Sequence, residues 1–150
     1  MDFFTAMNVS AAGLSAQRTR LNIASSNLAN IETTRTPEGG PYRRRMVMLG
    51  AVPFEQAFEQ VRGADLGGKE GQVHSVEVVS IEADGSEPRL VYNPEHPDAR
   101  QDGYVAMPNV NPITEMVDLL TTSRSYEANV SALKATKSMA LEALKIGGAG

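Results

Sequence analysis

One short stretch of the sequence holds the residue types that acid–base or metal chemistry needs. Glu95, His96 and Asp98 lie within four positions of one another, in a loop that two prolines stiffen. Three side chains so close along the chain cannot surround a metal ion by themselves, and His74 reaches them only if the fold brings it there. The stretch therefore predicts a structural turn, and an enzyme that uses His96 is the less favoured alternative.

A second candidate is the basic triplet Arg43-Arg44-Arg45, which directly precedes the apolar residues 46–49. Arginines bind phosphate, but at the start of an apolar strand they more often form a solvated edge or a subunit contact. The sequence contains no Gly-rich phosphate loop, nucleophile elbow or metal-binding helix motif. We therefore expect no enzyme activity, no cofactor and no metal.

The composition narrows the function classes further. The 150 residues fit one domain, or a helical part with a small insert. The net charge of −4 and the pI near 5.2 argue against nucleic acid as a partner. Cysteine is absent, which excludes disulfides and thiolate metal sites. The amino terminus lacks the basic segment of a cleaved signal, and no apolar run approaches the ~18 residues of a membrane span, so we expect neither feature.

The longest periodic stretch begins at Asn111-Pro112, where a favourable N-cap residue precedes the residue best tolerated at the first helical position. The following residues recur at steps of three and four for about four heptads. These positions are Met116, Leu119, Ser123, Tyr126, Val130, Leu133, Lys137, Ala140 and Leu144. Such a helix is roughly 50 Å long at about 1.5 Å per residue, and so long an apolar seam needs a partner.

Residues 3–31 carry a second heptad pattern. Met7, Leu14, Leu21 and Leu28 recur every seven residues, and the interleaved positions hold Phe3, Ser10, Gln17, Ala24 and Ile31. Two ordinary amphipathic helices on a globular core are one interpretation. Pairing of the two terminal helices with each other, with neighbouring subunits, or both is favoured, because globular helices rarely sustain such seams. Asn27 and Asn30 either end this helix or fix the register of a helix–helix contact.

The middle of the chain predicts short strands. Residues 72–82 form the best strand pattern, a turn at Asp84-Gly85 leads to a returning strand at 89–92, and 104–107 is a further strand. Residues 54–62 fit either a short helix or a mobile segment. The predicted fold class is mainly α with a small β insert, in which long N- and C-terminal helices pair as a coiled coil and a β-rich middle domain lies between them.

The motifs of both ends resemble those of bacterial flagellar axial proteins, the rod, hook and related subunits. The resemblance rests on Asn27-Leu28-Ala29-Asn30-Ile31 near the amino terminus and on Arg124-Ser125-Tyr126-Glu127-Ala128-Asn129 in the C-terminal helix. The segments 36–44, 89–92 and 102–112 are similar to proximal rod proteins of the C type. The resemblance covers nearly the whole chain, and only residues 46–72 match weakly.

This resemblance implies a structural subunit of the flagellar basal-body proximal rod. In that family, terminal helices form the inner tube of a hollow, torque-transmitting shaft around the protein export channel. Residues 1–35 and 108–150 would then form a discontinuous helical coiled-coil domain, and residues 36–107 a loop plus a small β-rich outer domain. A soluble coiled-coil adaptor that binds a partner helix is the alternative from another functional class.

The resemblance also implies partners and a location. The implied partners are copies of the chain, other proximal and distal rod proteins, the inner-membrane MS ring with its rod adaptor, and the export apparatus. Type III export without a cleaved signal would deliver the chain to the periplasmic rod of the basal body. We expect helix packing and assembly to rest on Met7, Leu14, Leu21, Leu28, Met116, Leu119, Tyr126, Val130, Leu133 and Leu144, with Asn27, Asn30, Arg124 and Glu127 setting the register between neighbours.

Overall fold

The computed structural model describes residues 3–53 and 74–147. In chain order its elements are α1 (Phe3–Ala29), β1 (Arg45–Pro53), β2 (His74–Ala83), β3 (Arg89–Tyr92), β4 (Tyr104–Met107) and α2 (Pro112–Gly147). The two terminal helices predicted from the heptad patterns are confirmed. The alternatives for residues 54–62 lie outside the described residues.

The helix ends follow from local sequence. The Asn111 side-chain oxygen accepts a hydrogen bond from the backbone N–H of Ile113 at 3.0 Å, so Asn111 caps α2 as predicted. Pro112 occupies the first helical position, where a missing N–H removes no helical hydrogen bond. At the end of α1, the backbone and side-chain N–H groups of Asn30 both donate to the carbonyl oxygen of Ser26, at 3.1 and 2.9 Å.

The four described strands form two separate antiparallel sheets of two strands each. β1 pairs with β2, and β3 pairs with β4 in a register that places Val91 opposite Val105 and Tyr92 opposite Tyr104. The two tyrosine rings meet edge to face with centroids 5.3 Å apart. Gly103 precedes β4 with a φ of 78°, a conformation that L side chains rarely adopt.

The predicted hairpin between residues 72–82 and 89–92 is wrong, because β3 pairs with β4 instead. The backbone N–H of Asp84 donates to the carbonyl oxygen of Arg44 at 2.7 Å, which extends the pairing of β2 with β1 beyond the end of β2. The N–H of Asn93 donates to the carbonyl oxygen of Gly103 at 3.0 Å, so β3 is followed by its own turn and partner. The turn at Asp84-Gly85 thus leads out of one sheet and toward another.

The predicted β-rich middle domain is also wrong. Within the described residues the middle contributes only the two small sheets. Large apolar side chains of the first sheet remain exposed, among them Met48, Val79 and Ile81. A two-stranded sheet has too little surface to enclose a core of its own, which is the physical reason for the difference.

The chain divides into two compact units. Of the described residues, the first unit comprises 3–19, 49–53, 74–79 and 123–147. In it, Ala16 is buried and Gly13 lies so close to α2 that an added Cβ would sit 3.1 Å from the Asn129 side-chain nitrogen. Small residues therefore allow the two helices of this unit to approach closely.

The second unit comprises residues 20–48 and 80–122. Its buried apolar side chains are Ala24, Val105, Pro108 and Val110, and its buried polar residues are Asn27, Glu115 and Thr122. The structure corrects the expectation that leucines form the buried seam of a coiled coil. Small and polar side chains occupy the buried helix positions, and Leu14, Leu21 and Leu28 are only partly buried. The proposed division into a helical domain and an outer domain stays a prediction.

Candidate functional site

The side chain of Asn27, near the end of α1, is the centre of a buried polar network in the second unit. Its exposed fraction is 1%. Its oxygen accepts hydrogen bonds from the Tyr42 hydroxyl and from the backbone N–H of Arg45, each at 2.9 Å. Its nitrogen donates to the carbonyl oxygen of Arg45 at 2.9 Å and to Glu115 Oε2 at 3.1 Å. All the hydrogen-bonding positions of this carboxamide are thus used inside the chain.

Glu115 brings a negative charge into the same network from the first turns of α2. Its side chain is 1% exposed, and its Oε1 accepts a hydrogen bond from Arg44 Nε at 2.6 Å. The same guanidinium lies 3.8 Å from a carboxylate oxygen of Asp118, one turn further along the helix. A buried carboxylate is tolerated only when it is paired and hydrogen-bonded, and here Arg44 and Asn27 supply both.

The network ties three segments of the second unit together. α1 supplies Asn27, the connection to β1 supplies Tyr42 and Arg44, and α2 supplies Glu115. The hydrogen bonds of Asn27 and Glu115 join specific atoms of these segments, so a shift of either helix by one turn would leave charged or polar groups buried without partners. The arrangement can fix the relative register of these segments. It offers no group with the surroundings of a nucleophile or a general base.

A cavity of about 170 Å³ lies beside the network. Its lining mixes charged side chains, such as Arg20 and Asp118, with apolar ones, such as Ile23 and Met46, and with the buried Thr122. Small-molecule sites are usually larger, about 300 Å³ or more. This cavity therefore has room for water or for a single side chain, and too little for an organic cofactor.

The basic triplet has divided roles. Arg44 is partly buried in the network, whereas Arg43 and Arg45 are exposed. The latter two border a larger cavity of about 330 Å³, together with Arg35 and Glu38. The guanidinium of Arg44 pairs with the carboxylates of Glu115 and Asp118, so the three arginines do not form a single phosphate-binding site.

Asp84 lies close to this region and is held in its charged form. Hydrogen bonds from Ser86 to its carboxylate lower the pKa of Asp84. Desolvation partly opposes this decrease, and the positive charge of Arg44 adds the weakest lowering effect. The backbone N–H of Ser86 makes one of these bonds at 2.9 Å. The turn at this position is therefore stabilised by an ionised aspartate.

The stretch with Glu95, His96 and Asp98 is a structural turn, as predicted. His96 Nδ1 accepts a hydrogen bond from the backbone N–H of Asp98 at 3.0 Å. The Asp98 carboxylate accepts a hydrogen bond from the Thr34 hydroxyl at 2.7 Å and pairs with Arg35 at 2.6 Å. No three His, Asp or Glu side chains in the described parts of the chain are grouped so that they suit a metal ion.

The predicted assembly residues are placed in different environments. Asn27 is buried and Asn30 is partly buried, and both make their hydrogen bonds inside the chain. Met7, Leu14, Leu21, Leu28, Leu119, Tyr126, Val130 and Leu133 are partly buried, and Met116, Arg124, Glu127 and Leu144 are exposed. Their role between subunits stays a prediction.

Sequence reasoning did not identify Tyr42, the backbone of Arg45 and Glu115 as partners of Asn27. It also did not identify Arg44 as the partner of Glu115. Glu115 stands in the opening turns of a helix, where an acidic residue is ordinarily read as a favourable charge near the N-terminal dipole. A usable signal was the asparagine itself, because a weak helix former inside a helical pattern often hydrogen-bonds to another element. Across residues 3–53 and 74–147, neither helix is long and apolar enough to cross a membrane.

Comparison with known proteins yields matches along nearly the whole chain. Residues 7–35 match the family model described as flagella basal body rod protein, and residues 101–146 match that described as flagellar basal body rod FlgEFG protein C-terminal. The flagellar basal-body rod protein FlgC of Bacillus subtilis (strain 168) is 46% identical over 98% of this chain and 99% of its own length. The proteins of the same name from Borreliella burgdorferi and Salmonella typhimurium are 42% and 37% identical, over 97% and 98% of this chain and 98% and 99% of their own lengths.

Proposed function

Because the chain belongs to the FlgC family of flagellar basal-body rod proteins, it is a structural subunit of that rod, and we propose that it enters the rod through its two terminal helices. In this proposal α1 and α2 form part of the inner wall of a hollow shaft in the proximal rod. Residues 36–53 and 74–107 lie further out and brace the helices. The neighbours are copies of the chain and other rod proteins, and the base of the shaft meets the MS ring, its rod adaptor and the export apparatus.

The observation that carries the proposal is the amount of apolar helix surface that the chain leaves uncovered. Along α2, Ile113, Leu120, Met139 and Ile146 are each more than 60% exposed. Helices in a protein that acts alone bury such side chains, whereas subunits of an assembly bury them against neighbours. Packing of many helices side by side also distributes torque over many buried contacts.

The buried polar network supports the same function in a different way. It fixes the register of α1 and α2 within the second unit, so the side chains that face outward there have defined positions. A repeated contact between subunits needs such defined positions, because each copy must present the same surface. Export from the cytoplasm without a cleaved signal, and a periplasmic location, belong to this proposal.

The proposal is tested with single charges on the partly buried seams. Leu21→Asp and Leu133→Asp should abolish swimming in soft agar and remove the chain from purified basal bodies, because a carboxylate cannot be buried between apolar helices. Asn22→Asp and Ala132→Asp are matched controls at adjacent exposed positions and should swim normally. Normal swimming of both seam variants would refute helix-mediated assembly.

The soluble adaptor is not favoured, because the relatives that align over nearly the full chain are named as rod proteins. Rod proteins are structural and are not an enzyme family, which agrees with the expectation of a non-catalytic subunit. The finer statement that this chain has no catalytic activity remains part of the proposal.

A further inference from the structure

The cavity of about 170 Å³ in the second unit, called here the Arg20 pocket, has an excess of positive charge in its lining. Three guanidinium groups and two carboxylates line it, those of Arg20, Arg44, Arg45, Glu115 and Asp118. Both carboxylates pair with Arg44, at 2.6 and 3.8 Å. The ion pairs of the chain therefore leave one more positive than negative charge at this pocket.

Arg20, on α1, is a cation of this lining that lacks a partner. It is partly buried, and within the described residues its side chain makes neither an ion pair nor a hydrogen bond. A guanidinium carries five N–H donors in a planar fork that suits a carboxylate, and burial makes an unused donor costly. Arg20 is thus positioned to bind an acceptor that its own chain does not supply.

Thr122 provides a second unused donor in the same pocket, from α2. It is 1% exposed, and in the described part of the chain its hydroxyl makes no hydrogen bond. Hydroxyls on helices often donate to the carbonyl four residues earlier, as those of Ser10 and Thr136 do at 2.9 Å. The Thr122 hydroxyl does not, although it is buried. Two helices therefore each bring one unsatisfied donor to this pocket.

The remaining lining is apolar and continues onto an exposed surface. Ile23, Met46 and Val47 line the pocket. Met46 and Met48 share one face of β1, because alternate residues of a strand point the same way, and they are 36% and 48% exposed. Methionine and arginine are enriched where proteins contact one another. A protein segment can cover this apolar surface, whereas a free anion cannot.

We propose that the Arg20 pocket binds the carboxylate side chain of a glutamate or aspartate from a neighbouring rod subunit. The inference rests on the proposed function and names the chemistry of one contact between subunits. The carboxylate accepts hydrogen bonds from Arg20 and Thr122, and its methylene stem packs against Ile23 and Met46. One added negative charge balances the lining, and the volume admits one side chain. Such a pairing selects the neighbour and its register, because a buried charge tolerates few alternatives.

Neutralising Arg20 separates this contact from the folding of the chain. Arg20→Gln should lower the amount of the chain in purified basal bodies by about fivefold or more, because a desolvated charge pair is lost. The urea midpoint of the purified variant should equal that of wild type, because Arg20 has no partner in its own chain. Arg18→Gln, at an exposed position outside the pocket, is the matched control and should assemble and swim normally.

Two results of this experiment would overturn the inference. The first is wild-type assembly and swimming of Arg20→Gln, which would leave helix-mediated assembly intact, since Leu21→Asp tests that separately. The second is a urea midpoint of Arg20→Gln clearly below that of wild type, which would assign Arg20 to the stability of its own chain.

Charge exchange identifies the partner. Arg20→Glu should stop swimming, and selection for swimming revertants should yield lysine or arginine in place of one acidic residue on a neighbouring rod subunit. A restored pair of opposite sign produces such a specific rescue. Normal swimming of Arg20→Glu would contradict the proposal. Rescue only through Glu115 or Asp118 of the same pocket, or through no acidic position, would also contradict it.

The hydroxyl of Thr122 gives an independent test. Thr122→Val removes the hydroxyl and keeps the shape of the side chain, whereas Thr122→Ser keeps the hydroxyl. The valine variant should be depleted from basal bodies while its purified chain is at least as stable as wild type, because no hydrogen bond within the chain is lost. The serine variant should assemble. Equal assembly of both variants would overturn the inference that this pocket binds a hydrogen-bond acceptor.

Discussion

Replacing Asn27 with aspartate tests the buried network with the smallest change of shape. Asn27→Asp keeps the size of the side chain and the oxygen that accepts from Tyr42 and from the backbone of Arg45. It replaces the donating nitrogen by an oxygen that faces the carbonyl of Arg45 at 2.9 Å and Glu115 Oε2 at 3.1 Å. Two donated hydrogen bonds are lost, and two carboxylates come into contact in a buried place.

The expected loss of stability follows from these contacts. Two unit charges about 4 Å apart repel by about 4 kcal/mol at the effective dielectric constant of about 20 that suits protein sites. The lost hydrogen bonds add to this, while proton uptake by the new carboxyl and the nearby charge of Arg44 reduce it. We expect the free energy of unfolding at pH 7 to fall by about 3 kcal/mol, a large part of the 5–15 kcal/mol typical of a domain.

The contact between the two carboxylates also determines how the stability difference between Asn27→Asp and wild type changes with pH. Repulsion raises the pKa of the introduced carboxyl in the folded state above its unfolded value. The variant is therefore least stable relative to wild type above that folded pKa, and the difference shrinks as the pH falls through it. Urea unfolding followed by circular dichroism at about pH 7 and about pH 5 measures both values.

A second substitution provides the decisive control. In the double variant Asn27→Asp with Glu115→Gln, the donor and the acceptor exchange sides and the new amide can donate to the new carboxylate. We expect the double variant to regain at least half of the stability lost by Asn27→Asp, a non-additivity that only direct contact produces. A loss below about 0.5 kcal/mol in Asn27→Asp would refute the reasoning, since ordinary surface substitutions have effects of that size. Additive losses in the double variant would also refute it, since independent sites give additive losses.

The remaining predictions concern single positions, each measured by urea or acid unfolding. The buried side-chain oxygen of Gln17 has no hydrogen-bond partner within the described residues, so Gln17→Met should raise the free energy of unfolding by about 1 kcal/mol, and a decrease would contradict this. Gly103→Ala should lower the free energy of unfolding more than Gly40→Ala. Both glycines have φ near 78°, but only a Cβ at position 103 would contact the Tyr92 ring, at 2.8 Å. Equal decreases in the two variants would exclude the clash. Hydrogen bonds lower the pKa of Asp84, so its contribution to the free energy of unfolding is present above its ordinary pKa and is lost as the pH falls through the lowered pKa. Asp84→Asn should therefore be less stable than wild type at about pH 6 and similar to it at about pH 2. The same stability difference at both pH values would contradict this.

The two long helices were predictable because their signals are local. Asn111-Pro112 predicted the start of α2 by capping chemistry, and the cap is present. The turn around His96 was predictable for the same reason, since closely spaced prolines and polar residues determine the backbone without help from the rest of the fold. These features depend on neighbours in the sequence.

The pairing of elements was harder to predict because it depends on residues far apart. Asn27 and Glu115 are 88 positions apart, and nothing in either heptad pattern relates them. The heptad interpretation expected the most apolar side of each helix to face the other terminal helix, neighbouring subunits, or both. In the first turns of α2 the polar residues Glu115 and Thr122 are buried, whereas the apolar residues Ile113 and Leu120 are exposed. This orientation is expected when another molecule covers the apolar side of the helix.

The hydrogen bonds of Asn27 to Arg45 have a consequence for aggregation. The carboxamide of Asn27 engages both the N–H and the C=O of Arg45, at 2.9 Å each, as the backbone of an adjacent strand would. Unpaired strand edges attract foreign strands and seed misassembly. A helix side chain thus occupies the backbone hydrogen-bonding groups of the first residue of β1, so a strand of another molecule cannot pair with them.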